Sequence, residues 1–118
     1  LSLSINTKTY NADSYQKDSV AYVGPSNTLT TKDRVVLART QPKPSEKFSG
    51  VGRAMAKLTR TLSLTGALTP VADAIVDIQC QIPVGFSATD VDALCADMGA
   101  WIATTQFKNL LKQQLINQ

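Results

Sequence analysis

From Val91 to Ala103 every residue is apolar or small except Asp92 and Asp97. A helix of that composition has almost no face for solvent and must be covered on nearly all sides. Its start is predicted at Thr89-Asp-Val-Asp92, with Thr89 as N-cap and Asp92 placed to cap reciprocally. A second helix, roughly Gln106 to Ile116, is ordinary by contrast. Phe107, Leu110, Leu111 and Leu115 form one stripe, while Lys108, Lys112 and Gln113 face water. Ahead of both, Ala72 to Ile82 alternates small or apolar residues (Ala72, Ala74, Val76, Ile78, Cys80, Ile82) with a mostly polar set (Asp73, Asp77, Gln79, Gln81). That is the period of a half-buried strand, stopped by Pro83 and Gly85. One small sheet of the same chain covers only one side of the first helix. The other side asks for a partner, and a second copy of the chain is the simplest one. Leu94, Met98, Trp101 and Ile102, with Phe107 and Leu111 of the second helix, are expected at that homodimer interface. Gly99 lies in a small-residue track with Ala96, Ala100 and Ala103. In a helix interior glycine costs about 1 kcal/mol against alanine, so it belongs where a partner approaches closely.

The rest of the chain reads as strands. Residues 1–31 are polar, with short alternating pieces at Leu1, Leu3, Ile5, Tyr10 and Val20 to Val23. Asn6-Thr7 and Asn11-Ala-Asp13 look like turns, and Gly24-Pro25-Ser-Asn27 ends the last piece. Asp33 to Thr40 is a strand centred on Val35-Val36-Leu37. Gln41 to Lys47 is a stiff polar loop, because each proline holds its predecessor extended. A long strand follows from Ser49 to about Leu64, with Ala54, Ala56, Leu58, Leu62 and Leu64 on one side and Arg53, Lys57, Thr59, Thr61 and Ser63 on the other. Thr65 to Pro70 turns the chain into the strand described first. Strands followed by helices give an α+β class with an antiparallel sheet. At 118 residues the chain is expected to be one domain: a hairpin or meander over 1–31, the main strands over 32–82 and the helices over 87–118.

Charge is unevenly placed. Between Lys32 and Arg60 lie eight basic residues (Lys32, Arg34, Arg39, Lys43, Lys47, Arg53, Lys57, Arg60) against Asp33 and Glu46, a local balance of +6. The remainder carries −3. A positive field confined to one segment is the footprint of polyanion binding, with a chance imbalance on a solvated surface as the plainer reading. The chain has no histidine, which removes Ser-His, Cys-His and His-metal arrangements together. Gly50-Val-Gly52 precedes a strand and lacks a third glycine, so it is a bend rather than a phosphate loop. Asp73 and Asp77 on one strand face are roughly 13 Å apart, too far for a carboxylate dyad. Cys80 and Cys95 are expected to be small buried hydrophobes. No apolar run nears the roughly 18 residues of a membrane helix, and Leu1 to Asn6 does not read as a signal peptide. An enzyme, a cofactor and a metal are not expected.

The order of parts resembles the coat proteins of single-stranded RNA bacteriophages, of levivirus type. The likeness rests on a polar N-terminal hairpin, a strand ending Arg39-Thr-Gln-Pro42, a loop with Lys43 and Lys47, and a strand rich in basic residues and threonine. It continues through a strand ending Ile82-Pro-Val-Gly-Phe-Ser-Ala-Thr-Asp90 and two terminal helices that close on Leu110-Leu-Lys-Gln-Gln-Leu-Ile116. It covers most of the chain, best from Lys32 onward. The resemblance implies a five-stranded antiparallel sheet and helices crossing onto the sheet of a second subunit in an intertwined dimer. It also implies assembly of dimers into a quasi-equivalent icosahedral shell around a single-stranded RNA genome. Virion location, assembly in the host bacterial cytoplasm and a maturation protein as virion partner follow from it too.

On that expectation Arg53, Lys57, Thr59 and Thr61 contact RNA, joined by Arg39 if the neighbouring strand points it the same way. Arg60 has the opposite parity and Lys43 lies in a loop. Gly66, Leu68 and Pro70 mark an inter-dimer loop at the symmetry axes of the shell. Members that repress translation by reading an RNA hairpin often carry an aromatic and amides where this chain has Ile75, Asp77 and Gln79, and Asp77 repels phosphate. A non-assembling, dimeric cytoplasmic RNA-binding regulator is the alternative from another class, and particle formation separates the two.

Overall fold

A computed structural model describes residues 1–47 and 49–116. The chain divides into two compact units, Leu1–Val84 and Gly85–Gln118. The first is a six-stranded antiparallel sheet in chain order: β1 (Ser2–Ile5), β2 (Lys8–Gln16), β3 (Ser19–Val23), β4 (Asp33–Thr40), β5 (Val51–Ser63) and β6 (Val71–Pro83). Each strand pairs with its predecessor, which is why two-residue turns serve at the start. Asn6 and Thr7 both have positive φ, the twist a tight hairpin needs. The sheet has one strand more than the five that the phage-coat resemblance implies.

The second turn falls at Lys17-Asp18, between Gln16 and Ser19, and not at Asn11-Ala-Asp13. Those three residues continue β2, and Asp13 is an extra residue between the pairs Ala12–Tyr22 and Ser14–Ala21. A bulge and a turn both use Asn and Asp, which is why the two look alike in sequence. Farther on, Gly50 (φ +98°) closes the β4–β5 loop. A Cβ there would meet Pro42 Cβ at 3.0 Å and the Lys43 backbone N at 3.1 Å, so the loop needs glycine.

The register defines two faces. Tyr22, Val35, Leu58 and Val76 lie side by side across β3 to β6 on an apolar face. Arg34, Thr59 and Ile75 lie side by side across β4 to β6 on the polar face. The core is Tyr10, Tyr22 and Val35, with Leu3, Ala12, Val20, Leu37 and Leu58 against it. At its margin Asp33 is 1% exposed. Its carboxylate accepts from the Tyr10 hydroxyl at 2.8 Å, from Arg60 Nε at 3.3 Å and from the Ser26 N–H at 3.4 Å, and Arg60 Nη2 also donates to the Tyr10 oxygen at 2.7 Å. Burial works to raise the Asp33 pKa, but these donors outweigh it and hold the carboxyl below the ordinary carboxylate range. Burial and the carboxylate together raise the Tyr10 pKa.

The second unit holds α1 (Ala88–Ile102) and α2 (Thr105–Gln113). The first helix begins before the expected Thr89 cap. Ser87 takes the N-cap position with extended backbone and no side-chain cap bond, and Asp90 stands in the first turn where the helix dipole favours an anion. Thr89 and Asp92 therefore lie inside the helix. Between the helices, Thr104 Oγ1 donates to Trp101 O at 2.6 Å and accepts from Phe107 N at 3.3 Å, capping α2. Gln114 then enters the left-handed region at φ 55° and ends α2 before the expected Ile116. Trp101 and Phe107 meet edge to face at 4.9 Å between centroids.

Candidate nucleic-acid interface

On the polar face β5 contributes Arg53, Lys57, Thr59 and Thr61, opposite Gln81, Asp77, Ile75 and Asp73 of β6. The expected grouping of Arg53, Lys57 and Thr59 on one face is therefore present. Arg39 is not among them. It is opposite Ala54, which alternation places on the other face from Arg53, and it pairs with Asp18 at 3.3 Å. Thr40 and Arg34 are the β4 residues level with Arg53 and Thr59. The phase between β4 and β5 is fixed by the ten-residue loop 41–50, and nothing within either strand reports it.

Ion pairs separate engaged cations from available ones. Of the eight basic residues from Lys32 to Arg60, four have carboxylate partners: Lys32 with Asp73 at 3.2 Å, Arg34 with Asp13 at 3.1 Å, Arg39 with Asp18, and Arg60 with Asp33. Lys43, Lys47, Arg53 and Lys57 have no ion pair within 4 Å among the described residues. Lys43 and Arg53, with Thr40 and Gly50, line one open hollow of ≈ 280 Å³. The available positive charge thus gathers toward the β4–β5 loop end of the sheet.

The opposite end is neutralised. Thr61 Oγ1 donates to Asp73 at 2.7 Å and accepts from the Lys32 N–H at 2.9 Å, so its hydroxyl is already used within the chain. Those bonds hold the Asp73 pKa below its ordinary value, Thr61 first and Lys32 second. Asp77 faces Lys57 across the strand pair and accepts from Gln79 Nε2 at 3.3 Å. Such an arrangement favours phosphate over Arg53, Lys57 and Lys43, and disfavours it along β6.

The surfaces expected to meet a partner are bare within the chain. No residue of α1 is buried, and Leu94, Met98 and Trp101 are exposed, as is Leu111 of α2. Ile102 and Phe107 are half-buried. A Cβ on Gly99 would meet nothing within 4 Å. Along β6 every residue is exposed except Ile82, so the strand expected to be half-buried shows both its faces. The expectation of buried thiols fails for the same reason. Cys80 and Cys95 are free and exposed, since alternation or helical spacing gives each an apolar row but does not bury it. In the β5–β6 loop Gly66 has φ +76°, and Leu68 and Pro70 are exposed. Among the described residues no group of acids and cysteines could hold a metal ion, and no helix is long and apolar enough to cross a membrane.

Six antiparallel strands followed by two helices form the levivirus coat-protein fold. Particular solved structures share it over nearly the whole chain. The virus-like particle of Beihai levi-like virus 32 has a TM-score of 0.81 at 14% identity, covering 96% of this chain and 91% of its own. That of bacteriophage AVE019 has a TM-score of 0.75 at 15% identity, covering 100% and 96%. The bacteriophage EMS014 coat protein has a TM-score of 0.60 at 17% identity, covering 86% and 70%. No family model and no curated relative matches the sequence.

Proposed function

We propose that the chain is a viral coat protein that dimerises, assembles with further copies into an icosahedral shell and holds single-stranded RNA against Arg53, Lys57 and Lys43. The observation that carries this reading is the coat-protein fold, which spans 96% of the chain in the likeness to the Beihai levi-like virus 32 particle. The bare apolar surfaces support the dimer. The unpaired outer edge of a 13-residue strand such as β6 is a template for another chain, and its apolar row calls for a cover. A two-fold partner answers both needs, with β6 edges paired and α1 laid on the other subunit's sheet. In this reading the protein belongs to the virion, is assembled in the bacterial cytoplasm and meets a maturation protein there. Gly66, Leu68 and Pro70 then form an inter-dimer contact. Translational repression through an RNA hairpin is the further role this reading carries, and Ile75, Asp77 and Gln79 on β6, with Asp77 repelling phosphate, weigh against it.

The deciding experiment is expression of the full chain, followed by sedimentation and electron microscopy of the purified protein. Shells containing RNA are the expected result. Dimers that bind RNA and never assemble favour the regulator, and a folded monomer at micromolar concentration refutes both.

A further inference from the structure

The loop between β3 and β4 carries a feature that the RNA face and the dimer surfaces leave unexplained. It presents Leu29 at 106% relative exposure, on a segment tied down on all sides. The Gly24 N–H donates to Asp33 O at 2.7 Å and the Asn27 N–H to Gly24 O at 3.2 Å, drawing the ends together. Asn27 Oδ1 accepts from the Asp33 N–H at 3.2 Å, and the Asp33 carboxylate holds the Ser26 N–H. Gly24 has no room for a side chain, since a Cβ would lie 2.5 Å from both Asp33 Oδ2 and Tyr10 Cε2. Two threonines close the tip: Thr28 N–H donates to Thr31 O at 2.8 Å, the Thr28 and Thr31 hydroxyls meet at 2.6 Å, and Thr31 Oγ1 donates to Ser26 O at 3.0 Å. A compact loop that satisfies its own polar groups and is anchored on a buried carboxylate has already lost the conformational entropy that binding would otherwise remove. Single exposed leucines are common on protein surfaces; one held rigid at the apex of such a loop is a knob.

This loop stands at the same end of the sheet as the β5–β6 loop. Lys32 O accepts from the Thr61 N–H at 2.9 Å, and Lys32 pairs with Asp73, so the two loops leave a shared base. The second loop ends on Leu68, also at 106% exposure. We infer that this end of the sheet is one contact surface for neighbouring copies of the chain, with Leu29 as its fixed apolar knob and Leu68 exposed on the other loop. The occupant is another coat subunit, because the fold is shared with subunits of virus-like particles and the surface is distinct from β6 and α1. The inference rests on the coat-protein reading.

The test compares shell assembly by unmodified protein, Leu29→Asp and Leu29→Met. Burying one leucine makes association about tenfold or more tighter, so Leu29→Asp should raise the subunit concentration needed for shells by at least that factor, with Leu29→Met close to unmodified. Thermal melting and RNA binding of the dissociated Leu29→Asp protein should match the unmodified chain, since the side chain is fully exposed. As a second measurement, Leu29→Cys is treated with maleimide and position 29 is read by mass spectrometry. Protection in shells and reaction in dissociated subunits is expected. Shells from Leu29→Asp at the unmodified concentration, or equal labelling in both states, overturn this inference alone. Absence of shells from the unmodified chain overturns the coat-protein reading with it.

Discussion

One row of side chains crosses the apolar face from Tyr22 through Val35 and Leu58 to Val76, and its burial falls away along its length. Tyr22 is 8% exposed and Val35 4%, whereas Val76 is 47% exposed. The β2–β4 side is closed by its own chain, with three aromatic or aliphatic residues and an internal Asp33–Tyr10–Arg60 cluster. The β6 side has the same alternation, yet among the described residues all of β6 but Ile82 is exposed. The contrast teaches that amphipathic pattern sets which way side chains point, while topology decides whether anything meets them. The two regions should therefore answer differently to mutation: the first through stability of the subunit, the second through association.

The largest effect is expected on the association side. Trp101→Asp places a charge on α1 where a tryptophan is 41% exposed in the single chain, and should yield insoluble or monomeric protein. Loss of a buried tryptophan costs about 3–5 kcal/mol, and analytical ultracentrifugation reads the outcome. If Trp101→Asp remains a dimer, the division between regions is broken.

Next comes the closed side. Asp33→Ala removes the acceptor of three donors and should destabilise the subunit by about 2–3 kcal/mol in denaturant melts, whether or not it is assembled. The Asp33 pKa is depressed on folding, so its contribution is fully present above the ordinary carboxylate pKa. It is lost as pH falls through the lowered folded value. Acid unfolding of the unmodified chain should thus show a component, near and below the ordinary carboxylate pKa of about 4, that Asp33→Asn lacks.

Smaller again, Ile78→Ser on β6, where the isoleucine is 44% exposed, should weaken dimerisation by about 1–2 kcal/mol with little change in the melting of dissociated subunits. Equal losses in both measurements would mean that β6 is not an interface. The smallest effect is on RNA. Arg53→Ala and Lys57→Ala should each make the slope of log affinity against log salt shallower by about 0.7 for every single-strand phosphate that the side chain neutralises. Arg39→Ala should do so less, because Arg39 is held by Asp18 on the other face. Filter binding of an unstructured RNA across a salt series provides the measure.

How much of this the chain announces depends on the range of the cause. β4 was readable to the residue, since Val35-Val36-Leu37 stands between turn-forming stretches, and β5 and β6 were readable to within about two residues from alternation alone. The Asn6-Thr7 turn was equally plain. The second turn was misplaced by the bulge at Asp13, whose residue types match a turn. Parity within β5 correctly grouped Arg53, Lys57 and Thr59, but the register between strands lies in loop geometry, and so the face of Arg39 was beyond reach. The bonds that engage Lys32, Arg34 and Thr61 were hidden for the same reason. Asp33, Tyr10 and Arg60 are 23 to 50 residues apart, and the only local hint was an acid at the head of a strand in a basic segment.

The meander order of the sheet bears on how the chain reaches its native state. Every strand pairs with the one made just before it, so each step closes a short loop and little chain entropy is lost before contacts form. On a ribosome the tyrosine core can close as soon as β5 has emerged, when the helices are still unmade. The 13-residue edge of β6 arrives last among these strands. Until another chain pairs with it that edge stays open to wrong partners, which is how such edges aggregate, and the earlier strands are already closed on one another by then.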